Sequence, residues 1–258
     1  MQNKNAILVR RHRWDVTTGR AREIQEDLGK HWVGQDRFGK IRTVGGLDAS
    51  FVLVESQALE AKRPQLNRWT ALRAANRAIG CVVMYRYPDM KELERQHAVL
   101  PLRFPYVPGF LSFREIPVLL AALAELTFLP DLLFCDGQGY AHPRRMGLAT
   151  HLGIVPDLPT IGCAESLLTG CHDEPLRNAG SRTPLFDEVG QGIGTVVRTR
   201  DGVSPIYVSP GHRVSFESAL NLTLSVSDGR RIPRPTRDAD RFASETKRKL
   251  LRAQLSEK

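Results

Sequence analysis

Apolar positions along this chain change their period several times, and those changes divide it into elements. "TVGGLDASFVLV" (43–54), "GCVVMYRY" (80–87) and "QHAVLPLRF" (96–104) are valine-rich and alternate in places, which predicts three strands. Before them, "RAREIQEDLG" reads as a helix ending at Gly29. "PVLLAALAELTFL" (117–129) predicts an apolar helix able to pack on a sheet. The run Leu132, Leu133, Phe134, Cys135 predicts a strand buried on both faces, with Asp136 at its C-terminal end. A helix from Pro143, a strand at "PTIGCA" (159–164) and a polar loop over about 171–189 come next. Strands at "GTVVRT" and "PIYVS" and a helix "SFESALNLTLSV" capped by Ser215 follow. Three strands followed by alternating helices and strands predict an α/β fold, a mixed central sheet flanked by helices. With no internal repeat and no long linker, residues 1–258 read as a single domain. It carries a charged N-terminal segment (about 1–40) and a basic C-terminal tail (about 244–258), the latter a surface helix or a frayed end.

Composition adds a partner and a compartment. A formal charge of +9 and a pI near 9.7 favour a polyanion, because lysine and arginine gain affinity by releasing phosphate counterions. None of the four cysteines forms a C-x-x-C pair, and Cys81, Cys135 and Cys163 lie in apolar runs, which predicts buried reduced thiols. The N-terminal apolar run is too short for a secretory signal and no stretch is long enough for a membrane span. A soluble, cytoplasmic protein with no membrane partner is the expectation.

Three carboxylates stand out against their surroundings. Asp48 interrupts the first strand, where an unpartnered charge is costly to bury; Glu115 lies near a helix start; Asp136 ends a central strand, where open α/β sheets place ligands. Carboxylates scattered in sequence but gathered at one sheet edge suit magnesium and phosphodiester cleavage. Each has an ordinary alternative as a turn or capping residue. For Glu115 that alternative is a capping box with Ser112, and Pro117 argues against it. Proline in the fifth helical position would leave the Phe113 carbonyl without its N–H, so the helix is expected to begin nearer Glu115.

Upstream, Pro101, Pro105 and Pro108 stiffen "RFPYVPGFLSF" around Tyr106, a loop suited either to wedging into a base stack or to covering the sheet edge. Downstream, Gly137 and Gly139 permit close backbone approach, and Pro143 with Arg144 and Arg145 at a helix start would attract phosphate. His142 and His212 are candidates to orient water, phosphate or a leaving group, against the commoner role of a surface donor.

Taken together, "GLDASF", "PYVPGFLSFRE", "DGQGYAHPRRMGLATHLG", "PTIGCA", "SPGHRVS" and "RIPRPTRDAD" resemble, in order, the endonuclease V family of deoxyinosine-directed repair nucleases, from about Val44 to Ala243. The resemblance implies a ribonuclease H-like fold and a DNA repair endonuclease acting on deoxyinosine, a deaminated adenine. It implies magnesium-dependent hydrolysis of the second phosphodiester 3′ to that base, with manganese as a substitute, leaving 3′-hydroxyl and 5′-phosphate ends. It assigns Asp48, Glu115 and Asp136 as metal ligands and His212 as a catalytic group near the metal. Tyr106 would lead a wedge with Pro105, Val107 and Pro108. Gly109, Leu111, Gly137, Gly147 and Leu148 would line a hypoxanthine pocket, with His142 and Arg144 contacting the substrate backbone or supporting the pocket. Partners implied are deoxyinosine-containing DNA and, as a second class, inosine-containing RNA; a monomer suffices for cutting one strand.

The chain departs from the family at one place that matters. The family pattern "GVAK" reads "IGCAES" here, so Glu165 stands where a lysine would approach the reacting phosphate. Losing one such stabilising charge costs on the order of 10²–10³ in rate. The competing expectation is therefore a catalytically weakened homologue that binds inosine or branched DNA, unless a nearby arginine replaces the missing charge or Glu165 recruits a metal. A junction resolvase, the third reading, has no need of a tight purine pocket. The stretch from Glu55 to Leu72 also reads as longer than the usual turn after the first strand.

Overall fold

The computed structural model describes residues 12–53 and 75–256. The segment 55–72, read above as longer than the usual turn after the first strand, lies outside them. Helix α1 (Thr18–Gly29) is capped by the Thr17 hydroxyl, which accepts from the Arg20 N–H. An antiparallel meander follows, β1 (Thr43–Val52), β2 (Arg77–Arg86) and β3 (Lys91–Pro101). Then come α2 (Leu111–Glu125), β4 (Leu132–Asp136), α3 (Leu148–Ile154) and β5 (Thr160–Ala164). The chain continues through β6 (Arg182–Phe186), β7 (Gly192–Val197), β8 (Ile206–His212), α4 (Phe216–Ser225) and α5 (Arg234–Ser256). One eight-stranded sheet runs β3-β2-β1-β4-β5-β8-β7-β6, parallel only where β4 pairs with β1 and β5.

Side-chain alternation gives each strand two faces, and both are covered. Leu47, Val82, Met84, Leu133 and Cys135 pack against Ile116, Leu119 and Leu123 of α2. Val44, Val83, Tyr85, Phe134 and Ile161 pack against α4 and against Ala239 of α5. The expected α/β class and mixed sheet are what the chain adopts. Helix α5 can lie close to β1 only because position 46 is glycine: a Cβ there would sit 1.9 Å from the Pro235 carbonyl oxygen. Among the described residues no helix is long and apolar enough to cross a membrane.

Three expectations fail at element boundaries. Helix α2 begins at Leu111, not near Glu115, and takes Pro117 into its interior. Tertiary burial holds its first turn: Ser112, Phe113 and Arg114 are buried, and Arg114 Nη1 donates to the Phe104 carbonyl at 3.0 Å. Ser112 is no cap; its hydroxyl meets His151 Nδ1 at 2.9 Å. The helix expected from Pro143 instead starts at Leu148, and Pro143 falls in a turn. The polar loop over 171–189 contains β6, an edge strand, which is where a proline such as Pro184 is tolerated. At the C-terminus the basic stretch continues α5 as helix through Ser256.

Candidate active site

Strand register brings the first two carboxylates together. Leu47 and Cys135 are partners on the adjacent parallel strands β1 and β4, so Asp48 and Asp136, the next residue on each, stand side by side. Neighbouring strands lie roughly 4.8 Å apart. Asp136 alternates with Cys135 and so shares the face of Phe134, the side covered by α5. Glu115 comes from α2 on the opposite side and is 7% exposed.

The electrostatics show that these groups share one field. Burial, followed by the charge of Asp136, pushes the Asp48 carboxyl well above the usual range. Burial, followed by Asp48 and Asp136, does the same to Glu115. Burial raises Asp136 to about 7, with Glu165 and Asp240 adding to it. Asp240, on the exposed side of α5, is itself raised by burial and by Glu165. Asp240 is thus a fourth carboxylate that the sequence reading missed. It lies in a polar helical stretch where an aspartate is unremarkable, and only the close approach of α5 to Gly46 brings it to the edge.

The donor set fits a hard divalent cation: oxygen ligands only, like-charged, on one sheet edge. Among the described residues no group of three or more His, Cys, Asp or Glu side chains is placed to hold a metal ion on its own. A magnesium ion, which keeps several waters and takes its remaining oxygens from substrate phosphate, does not require one.

Glu165 follows β5 at the same edge, and it is not a bare anion. Arg231 Nη1 donates to Glu165 Oε2 and Arg231 Nη2 to the Glu165 carbonyl, both at 2.6 Å. The pair sums to zero charge.

The structure does not bring His212 to this edge. His212 pairs with Thr160, whereas Asp136 pairs with Cys163 three residues further along β5. That separation is about 10 Å along the strand. Its ring is engaged elsewhere: Nδ1 accepts from the Val33 N–H at 3.3 Å, which leaves Nε2 to donate to Asp157 Oδ1 at 3.0 Å. The expectation of a metal-side role for His212 is corrected on this geometry.

Beside the carboxylates lies a cavity of about 170 Å³. One wall is the loop carrying Tyr106, Val107, Pro108, Gly109 and Leu111; the other is the segment carrying Gln138, His142, Met146, Gly147 and Leu148. Leu168 closes it from the loop after β5. Of the expected pocket and wedge residues, Pro105, Gly137 and Arg144 do not line it. Gly137 backs Leu148, with φ +147° and room for no ordinary Cβ contact, since one would lie 3.3 Å from Leu148 Cβ.

Gly109, at φ +79°, aims its carbonyl backwards into a set of donors. It accepts from His142 Nε2 at 3.2 Å and from Arg144 Nη2 at 2.6 Å. Burial, with Arg144 nearby, lowers His142 to about 4, so the imidazole is neutral and its Nδ1 accepts the Arg144 N–H. The guanidinium of Arg144 also stacks on Phe110, 4.4 Å from the ring centroid. Arg145 pairs with Asp187. The expectation that both arginines receive phosphate at a helix start is therefore corrected: that start lies at Leu148, and both side chains are spent on internal contacts.

The chain matches the endonuclease V family model over residues 69–241. Endonuclease V from Roseiflexus castenholzii is 44% identical over 236 residues, covering 91% of this chain and 95% of that protein. The crystal structure of endonuclease V from Streptomyces avermitilis superposes with a TM-score of 0.78 at 34% identity, covering 92% of this chain and 95% of that one. Ciona intestinalis endonuclease V, solved in complex with a 24mer DNA containing an inosine followed by a ribo-adenosine, gives a TM-score of 0.71 at 26% identity, over 90% and 98% of the two chains. The sheet order, the paired aspartates and these similarities agree: the fold is ribonuclease H-like, and the chain belongs to the endonuclease V family of nucleases.

Proposed function

We infer that this protein is a metal-dependent endodeoxyribonuclease that recognises deoxyinosine and hydrolyses the second phosphodiester bond on its 3′ side, leaving 3′-hydroxyl and 5′-phosphate ends. The observation that carries the reading is that pocket and carboxylates are built on the same two segments. Leu111 lines the cavity one helical turn before Glu115, and Gln138 lines it two residues after Asp136. A base extruded into the cavity would hold its own strand at a fixed distance from the acidic edge. The inosine-containing DNA bound by the Ciona intestinalis relative supports the same substrate class.

In this reading Tyr106 and Pro108 fill the gap left in the base stack, while the neutral walls of the cavity accept a purine without an exocyclic amine. Asp48, Glu115 and Asp136, with Asp240 at the rim, would hold magnesium. When bound, that ion neutralises charge on the phosphate and activates a water. Asp136 and Asp48 would hold that cation at the sheet edge, and the Arg231–Glu165 pair leaves the flank of that edge electrically neutral.

The test is a nicking assay with magnesium on a labelled duplex carrying one deoxyinosine, beside an undamaged duplex and an Asp136→Ala protein. A single nick one nucleotide beyond the lesion, absent from both controls, is expected. No nick with inosine-selective retention in a gel shift would make the protein a binder instead, the reading that Glu165 favours.

A further inference from the structure

The two walls of the cavity are the segments that lead into α2 and into α3, and His142 and Arg144 of the second already reach the Gly109 carbonyl of the first; one further tie comes from outside both. Gln25 lies in α1, before the start of the family match at residue 69. It is fully buried, at 0% exposure, among the apolar residues Ala21, Ile24 and Leu28 on the same helix face. A primary amide in such a place needs partners for both ends. Nε2 of Gln25 donates to the Gly109 carbonyl at 3.2 Å and to the Met146 carbonyl at 3.3 Å, while Oε1 accepts from Arg144 Nε at 2.7 Å. The amide cannot be turned round, because Arg144 can only donate and the two carbonyls can only accept.

Gly109 belongs to the wedge-side wall and Met146 to the glycine-side wall, next to Gly147 and Leu148. His142, itself a lining residue, and Arg144 also reach Gly109 from the same segment. Gln25 alone among these donors grips Met146, where that wall turns to face the cavity. One rigid helical side chain thus spans both walls and also fixes the rotamer of the arginine behind them.

Resting on the function inferred above, we propose that Gln25 is a positioning residue that sets the separation of the two walls and thereby the selectivity of the pocket among purines. Hypoxanthine lacks the 2-amino group of guanine and carries an oxygen where adenine has its 6-amino group; walls free to move apart would admit the first and blur the hydrogen-bond geometry that tells apart the second. Replacing Gln25 with leucine keeps its bulk and removes the tie. Replacing it with glutamate keeps an acceptor for Arg144 but removes both donors to the walls.

The experiment measures steady-state kinetics on a deoxyinosine duplex and on an undamaged duplex, for wild type, Gln25→Leu, Gln25→Glu and Ile24→Val, with melting temperatures of all four. Both Gln25 variants are expected to raise KM for the inosine duplex ~10-fold, about the effect of one buried hydrogen bond. Maximal turnover stays within about two-fold of wild type, because only binding is touched. The preference for inosine over undamaged DNA narrows by a similar factor. Ile24→Val, which loosens the packing of α1 and leaves every hydrogen bond of Gln25 in place, leaves KM unchanged. Unchanged KM in Gln25→Leu, or an equal rise in Ile24→Val, overturns the proposal. A wild-type protein that cuts no inosine duplex overturns the functional reading itself, a distinct outcome.

Discussion

The pocket and the acidic edge are neighbours built by opposite means. In the pocket walls the Gly109 carbonyl takes three donors, His142 is uncharged, and the Arg144 guanidinium is held by Gln25 and Phe110, while the buried Gln138 Oε1 has no hydrogen-bond partner among the described residues. At the edge, burial first and neighbouring carboxylates second, Glu165 among them, raise the proton affinity of Asp48, Glu115, Asp136 and Asp240, and no three acidic, His or Cys side chains are placed to hold a metal ion on their own among the described residues. The pocket is preorganised by the protein alone. The edge is a set of like charges that a cation would complete. Recognition and cleavage are therefore expected to separate cleanly under mutation, and each prediction below probes that separation.

The largest effect belongs to the edge. Asp48→Ala or Asp136→Ala is expected to lower the single-turnover nicking rate by ~10³-fold or more, since several kcal/mol of charge stabilisation depends on the ligand set. Affinity for the inosine duplex stays within about three-fold of wild type, because neither side chain touches the cavity walls. Chelating the divalent ion should reproduce both results. A parallel loss of binding in the gel shift would show that the two regions act as one.

Next comes the wedge. Tyr106→Ala removes an aromatic surface beside the cavity, and base–aromatic stacking contributes roughly 1–3 kcal/mol per base. KM for the inosine duplex is expected to rise about ten- to a hundred-fold with turnover at saturation preserved. Equal falls in turnover and in kcat/KM would place Tyr106 with the chemistry and blur the comparison.

How much of this division could be read from the sequence follows from what burial costs. Asp48 and Asp136 were legible because a carboxylate inside an apolar strand is expensive and so invites a reason. The glycines and prolines flanking the cavity were legible because they constrain backbone whatever the neighbours do. Asp240 and Gln25 were not, since polar residues on amphipathic helices carry no local cost, and only tertiary contacts expose their partners. His212 was misplaced because a histidine at a strand end says nothing about which edge that end reaches; antiparallel β8 carries it away from Asp136. Pro117 misled for a related reason: contacts of Arg114 and Ser112 made elsewhere keep the first turn of α2 helical.

A smaller effect is expected at Glu165, where the comparison can be sharpened instead of broken. Its carboxylate adds to the field on Asp136 and at the same time neutralises Arg231. Glu165→Gln leaves the charge of that arginine uncompensated while its backbone contacts hold it in place, and is expected to raise the single-turnover rate at saturating magnesium a few-fold, and Glu165→Lys about ten-fold. Both lie below the 10²–10³ that a missing charge can cost, because Arg231 already offsets part of the deficit. Binding of the inosine duplex gains less than the rate does. No gain in either variant would mean that the charge at this position does not reach the reacting phosphate.

The smallest effect on chemistry is expected at His212, the one residue assigned to the edge that the fold holds away from it. Its ring ties Val33 to Asp157, joining the segment after α1 to the turn after α3. At 3% exposure, its loss leaves the Val33 N–H and a small void behind. His212→Ala is therefore expected to cost about 1–3 kcal/mol of stability, the range for an unsatisfied buried group. In a chain of this size that lowers Tm by several degrees. Turnover per folded molecule, measured below the melting transition, stays within about two-fold of wild type, and the magnesium dependence of the rate does not move. A fall of ~10²-fold in turnover with Tm unchanged would return His212 to the chemistry and show that the separation between strand ends is not preserved when substrate is bound.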